Sequence, residues 1–229
     1  MVVSNGIMMD LAQSQDQAKN VAHMVYQQLL AYDDLQLALN EFVASTNQLK
    51  GRAYDSSREL IRQVLEPLRR GGARLSEATA RLVQQLPDDY LEQVGSENLE
   101  EDSLREEINR WDGFIQEAED MLSLARQGQR LEPTPANTQR VISLENSLEI
   151  YQTARQALVH KLERLMTFHQ LSEEIFAEIA VLEQAVNIGL SQLNHAWDEK
   201  DLVFKLPQDL TWIRAIDLGI PFIPAQEAV

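Results

Sequence analysis

The chain has 229 residues, 44% of them hydrophobic, and sets 20 Lys and Arg against 36 Asp and Glu for a formal net charge of −16. That size and apolar content support a folded core. The acidity opposes nucleic-acid backbones and anionic lipid unless a local basic patch offsets it, and it favours solubility; the densest basic group, Arg69, Arg70 and Arg74, is surrounded in sequence by acids. The absence of cysteine removes disulfides, thiolate metal sites and cysteine nucleophiles. No apolar run approaches the ~20 residues that cross a bilayer, so no membrane insertion is expected. Met1 to Asp10 lacks the basic and apolar regions of a secretory signal peptide.

Gly and Pro are few and unevenly placed, which predicts an all-α fold of long helices. From Met8 to Leu49, Val25, Leu29, Tyr32, Leu35, Leu39, Phe42, Thr46 and Leu49 follow steps of three and four, which places them on one helical stripe. A second stripe with Leu30, Leu37 and Val43 lies beside it, and an apolar arc this wide calls for more than one neighbour. Gly51 then closes the helix in a left-handed conformation. The pattern resumes at Tyr54, Ile61, Val64, Leu65 and Leu68, giving an αα-hairpin.

Pro67 and Gly71-Gly72 predict a kink or break, followed by an amphipathic piece with Leu75, Ala78, Leu82 and Leu86. Pro87 to Asp102 reads as an acidic loop. Asp102 or Ser103 then caps a helix with Glu106 and Glu107 in its first turn. Leu104, Ile108, Trp111, Ile115, Ala118, Leu122 and Ala125 recur along it with coiled-coil-like spacing, with Trp111 expected in the core and Gly128 as the stop. Glu132 to Ala136 is a turn. Beyond it Val141, Leu144, Leu148, Tyr151, Ala154, Leu158, Leu162 and Leu165 form one stripe, and Ile175, Ile179, Leu182, Val186 and Leu193 another. A break near His169 to Ser172, with Ser172 as N-cap, is preferred to one helix of ~90 Å. The residues from Trp197 to Pro207 suggest a turn or small β excursion, those from Asp209 to Asp217 a last helix.

Patterns that carry chemistry are missing. There is no GxGxxG, GxxxxGK[ST], HExxH or GxSxG. None of His23, His160, His169 and His195 has a Glu three residues before it, as di-iron bundles require. The acids from Glu97 to Glu107 lack the alternating oxygens of a calcium loop. No catalytic residue, cofactor or metal site is predicted. Met8, Met9 and Met24 suggest an adaptable surface or a frayed terminus.

Leu49-Lys50-Gly51-Arg52-Ala53-Tyr54-Asp55-Ser56-Ser57, with Val64-Leu65-Glu66-Pro67-Leu68 and Gly71 after it, resembles the LXG domain. That domain is the N-terminal region of polymorphic toxins exported by type VII secretion systems of Gram-positive bacteria and used in interbacterial competition. Leu165 to Phe168, Ser172, Ile175-Phe176, Gly189-Leu190, Trp197-Asp198 and Asp209-Leu210-Thr211-Trp212 resemble its closing landmarks in order, so the likeness extends to about Asp217.

The resemblance implies an elongated helical stalk of long antiparallel helices with a WXG-like N-terminal αα-hairpin. It implies a targeting domain over 1–217, comprising a hairpin region (1–86), stalk helices (102–200) and a C-terminal turn and short helix (201–217). Residues 218–229 would be a linker toward a toxin domain outside this sequence. It also implies a non-catalytic module that binds two small helical partner proteins encoded beside it. The complex is recognised by the secretion ATPase, and the protein is cytoplasmic before export and secreted after it.

One departure stands out. Type VII substrates display an aromatic residue, usually Tyr or Phe, four residues before an acid. No Tyr or Phe here has that spacing, and Trp197 with Asp201 falls in an expected turn. The export signal is therefore expected on a bound partner, with this chain supplying the docking surface through Val25, Leu29, Leu30, Leu37 and Phe42 of the first helix and Tyr54 and Ile61 of the second. Against this, the chain's own later helices would cover the same face. Two other classes stay open, a self-associating coiled-coil or adaptor protein and, last, a helical-bundle enzyme.

Overall fold

The computed structural model describes residues 6–218, without the side chains of Glu174 and Glu178. Within them the fold is all-α: α1 (Leu11–Ala44), α2 (Arg52–Leu60), α3 (Glu66–Gln93), α4 (Glu101–Leu131), α5 (Pro135–Asn194) and α6 (Trp212–Leu218). A π-helical turn, Ile61–Leu65, joins α2 to α3. Two short antiparallel pairs complete it, β1 (Met8–Met9) with β2 (Leu99–Glu100), and β3 (Trp197–Asp198) with β4 (Val203–Phe204). The expected linker from Gly219 onward lies outside the described residues.

The chain forms two compact units, each assembled from separate stretches: Met1–Ser14 with Asp88–Leu171, and Gln15–Pro87 with Ser172–Val229. In the first, α4 and the start of α5 run antiparallel, since Arg126 pairs with Glu145, Asp112 with Arg155 and Glu97 with Lys161. Ala118, Leu122 and Val141 are buried along this hairpin. Thr134 caps α5 by accepting the Asn137 N–H at 3.2 Å, and Pro135 takes the first helical position, where a missing N–H does no harm. Tyr90 is fully buried, edge-on to Phe168 at 5.2 Å, and donates its hydroxyl to the Glu97 carbonyl at 2.7 Å. β1 is tied to β2 and to the start of α4, where the Glu101 carboxylate accepts the Ile7 N–H and the Ile7 carbonyl accepts the Glu101 N–H.

The core of the second unit gathers around Trp212, which has no exposed surface. Leu60, Val64 and Leu68 meet Ala185, Val186, Ala196, Ala215 and Ile216 in one cluster with it. The indole N–H donates to Gln192 Oε1 at 2.8 Å, and the amide of Gln192 donates to the Asp209 carbonyl at 2.8 Å, so the one polar atom of the ring is satisfied. Gly189 leaves the room the ring occupies, for a Cβ there would lie 2.9 Å from Leu68 Cδ1 and 3.0 Å from Trp212. In the same unit α1 and α3 run antiparallel, with Tyr32 against Gly72 and Gln28 bonded to Ser76.

Several local expectations are corrected. α1 starts at Leu11, not Met8, because Asp10 accepts the Gln13 N–H and caps it while Met8 and Met9 pair as strand. It ends at Ala44, where the Ser45 hydroxyl bonds back to the Phe42 carbonyl. Pro67, Gly71 and Gly72 cause no break. The π turn just before Pro67, seen in the bond from the Glu66 N–H to the Ile61 carbonyl, widens the backbone where the proline ring would otherwise clash. The segment from Pro87 is no loop, since α3 continues to Gln93; burial of Tyr90 holds the helix past the lost hydrogen bond. Glu100, not Asp102 or Ser103, occupies the cap of α4, and Gly128 lies inside α4, not at its end. α5 passes through His169 to Ser172 without interruption, for a contour of about 90 Å at 1.5 Å per residue over its 60 residues. Nothing in that stretch lacks a backbone donor, and serine is compatible with a helix interior. Trp111 is only half-buried, edge-on to Phe114 and tilted against Tyr151 on the flank of the α4–α5 hairpin.

Gly189→Ala should press a methyl group into Leu68 and Trp212 and lower stability by about 1–3 kcal/mol. Urea unfolding followed by tryptophan emission measures this; unchanged stability would show that α6 has slack against α5.

Candidate partner-docking face

The apolar positions of α1 divide in the structure, but not along the two predicted stripes: Leu35 of the first is 43% exposed, and Val43 of the second is half-buried at the same helical angle as Val25. At 100° per residue, Val25, Tyr32 and Leu39 lie on the side where Tyr32 meets Gly72 of α3. Tyr26, Leu30 and Leu37 fall within about 40° of one another on the opposite side. The exposures agree, Val25 being 4% exposed while Tyr26, Leu30 and Leu37 are 58%, 43% and 62% exposed. The residues singled out for docking therefore divide. Leu30 and Leu37 face water, Leu29 and Phe42 are half-buried, and Val25 and Ile61 are buried by the chain itself, out of a partner's reach while the fold is closed. Tyr54 is partly exposed and its ring lies 6.4 Å from that of Phe42. Tyr26 completes the outward line. Its spacing of four from Leu30 and eleven from Leu37 is the signal that could have found it.

Leu49 and Gly51 are held in the connection between α1 and α2. Gly51 does not close α1 in the left-handed region. It is the N-cap of α2, with φ 121° and ψ 163°, and its carbonyl accepts the Asp55 N–H at 3.0 Å. That backbone conformation is nearly exclusive to glycine, and no neighbouring atom lies within 4 Å of where a Cβ would stand, so backbone strain alone demands the glycine. Leu49 offers its carbonyl to Arg58 Nη2 at 2.5 Å, and the same nitrogen reaches the Ser45 carbonyl at 3.3 Å. Arg58 also pairs with Asp55 at 2.9 Å and is itself only 5% exposed. Sequence periodicity missed it because a charged side chain is normally assigned to the wet face of a helix. Ser56, part of the LXG-like stretch but given no role by the sequence, accepts the Phe204 N–H at 3.0 Å on its hydroxyl oxygen and so anchors the β3–β4 hairpin to α2.

Beside the face, Arg69 binds both oxygens of Glu66. These hydrogen bonds, opposed by partial burial and helped by the positive charge of Arg69, hold the Glu66 carboxyl below its ordinary 4.5. Trp197 is partly exposed on β3, and Asp201 lies in the β3–β4 turn within 3.2 Å of Lys205, so this aromatic–acid pair is not presented on a helix. A groove of about 690 Å³ among α3, α5 and α6 is lined by Ala78, Val181, Leu182 and Ile216 together with Arg74 and Arg81. Among the described residues no three His, Asp or Glu side chains converge as a metal site, and no helix is long and apolar enough to cross a membrane.

The sequence matches no family model and no curated protein.

Two outcomes test this geometry. Gly51→Ala should lower stability by roughly 1–3 kcal/mol through strain, seen as a fall in melting temperature; an unchanged value would mean the connection can rearrange. Because the Glu66 carboxyl is depressed, its pairing contributes above the ordinary value of 4.5 and is lost as pH falls below it. Glu66→Gln should therefore cost up to about 1 kcal/mol near neutrality, and its melting temperature should converge with that of the wild type in acid.

Proposed function

We propose that this chain is the non-catalytic targeting domain of an LXG-type toxin, one that binds small α-helical partner proteins to form a complex competent for type VII export. The observation that carries the reading is the outward line Tyr26–Leu30–Leu37, opposite the side of α1 that packs on α3. A helix that has already satisfied its core with one stripe has no internal use for a second. Large apolar side chains in register at helical spacing are what a helix-in-groove or helix-on-helix partner requires, and burying each fully contributes roughly 1.5–3 kcal/mol.

The Leu49-x-Gly51 connection supports the same reading. The LXG likeness begins there, and its Gly51 meets a backbone demand that other residues fit poorly, while the carbonyl of position 49, which any residue would supply, accepts from Arg58. The placement of Trp197 and Asp201 on a hairpin also favours an export signal carried by a partner. The chain supplies the platform, the partner supplies the signal, and the secretion ATPase recognises the assembly.

Co-expression with the two small helical proteins encoded beside it, followed by size-exclusion chromatography with light scattering, tests this. A hetero-complex of defined mass is expected, and Leu37→Asp, at an exposed position that leaves the fold intact, should abolish it. A homo-oligomer that ignores both neighbours would replace this reading with that of a self-assembling structural protein.

A further inference from the structure

The exposed face of α1 also carries a charge pattern, and the inference drawn from it rests on the docking reading above. Between Lys19 and Lys50 the sequence contains no Lys or Arg, and His23 is the one histidine there. At 100° per residue, Asp33 borders the Tyr26–Leu30–Leu37 line on one side and Asp34 and Glu41 border it on the other, all three exposed. The carboxylates of Asp34 and Glu41 make no hydrogen bond or ion pair among the described residues. Asp33 shares the field of Arg69, but that guanidinium is already engaged by both oxygens of Glu66. Lys19, at the start of the same face, is paired with Asp16 at 3.0 Å. The result is an apolar strip, extended by Ala44 to five turns of helix or about 27 Å, edged by negative charge that the chain does not neutralise.

We infer that the occupant of this strip is an amphipathic helix whose apolar stripe is bordered by Lys or Arg, lying along Tyr26 to Ala44. Opposite charges at the rim of a helix–helix contact choose the partner and its register, while the apolar centre supplies most of the affinity. A second copy of this chain does not fit, because like faces would bring the strip edged by Asp33, Asp34 and Glu41 against the same acid-edged strip, with no Lys or Arg of α1 along this stretch to answer it. Juxtaposed like charges act against such a pairing.

The test uses the whole chain and three fluorescein-labelled designed peptides of about twenty residues, long enough to form helix on binding. One has a Leu stripe flanked by Lys, one the same stripe flanked by Glu, and one the Lys composition with the stripe scrambled. The Lys-flanked peptide should bind at least tenfold more tightly than either of the others, and its affinity should fall at least tenfold between about 50 and 500 mM salt, as screening demands. Leu37→Asp should remove the binding. The triple variant Asp33→Lys, Asp34→Lys, Glu41→Lys, with its helix content checked by circular dichroism, should reverse the preference toward the Glu-flanked peptide.

Equal binding of the Lys-flanked and scrambled peptides, persistence of binding in Leu37→Asp, no preference between Lys and Glu flanks, or no binding by any peptide would each overturn the inference. The two readings separate in the co-expressed complex. A complex lost with Leu37→Asp but indifferent to the triple charge reversal would keep the docking face and discard its charge selectivity. Absence of any complex would discard both.

Discussion

A guanidinium buried at the joint between α1 and α2 governs how the proposed docking helix is presented. The guanidinium of Arg58, taken out of water, must be answered by hydrogen bonds or it destabilises the fold. Its answers are the carbonyls of Ser45 and Leu49 and the carboxylate of Asp55, while its Nε is left buried without a partner among the described residues. The two carbonyls belong to the stretch that follows the last turn of α1; that of Ser45 also accepts the Leu49 N–H at 3.1 Å, so Arg58 adds a second bond there. The side chain thus closes one helix from the first turns of the next. The same few residues hold Ser56, which carries the β3–β4 hairpin, so the joint organises chain from far along the sequence as well as its own neighbours.

Much of the fold was legible because periodicity reports burial. The long helices, the αα-hairpin, the small β excursion at Trp197 and the last helix around Trp212 all lay in the pattern of apolar steps and turn residues. Boundaries were less legible, and for specific reasons. Pro87 and Gly128 were given their average effect, but tertiary burial of Tyr90 and the packing of α4 against α5 outweigh it. Pro67 was expected to bend the chain, and the π turn before it absorbs the ring, a device that leaves no mark in hydrophobic spacing. Of the docking residues, the pattern found the wide apolar arc of α1 but not which of its positions face water. That depends on α3, and therefore on long-range packing. Arg58 was invisible for the opposite reason, because its role is read in backbone carbonyls that a sequence does not display.

Close approach in the core of the second unit relies on small residues at the points where α6 and α1 meet α3 and α5. Ile216 meets Gly71, Trp212 meets Gly189 and Tyr32 meets Gly72. Each large side chain enters the space a missing side chain leaves, which allows one aromatic ring to bind together helices from distant parts of the chain while its single N–H is satisfied by Gln192. This tight inner packing also explains why Tyr26, Leu30 and Leu37 stay outside. The inner side is already filled to contact.

The π turn at Ile61–Leu65 has a consequence for how this protein can change over generations. A π turn is an α-helix holding one residue too many. Losing a single residue there would restore regular helix at little local penalty, but it would rotate everything before it by about 100° relative to α3. Arg58 and Leu49 would turn together and keep their bond, but Ser56 would leave the Phe204 amide and Tyr32 would leave Gly72, so α1 and its joint would lose their seat without any of their residues having been altered. Substitutions at the exposed Arg62 and half-buried Gln63 of this turn can be absorbed; a change of length cannot, so drift among descendants of this chain should alter those residues more readily than the number of residues in the turn.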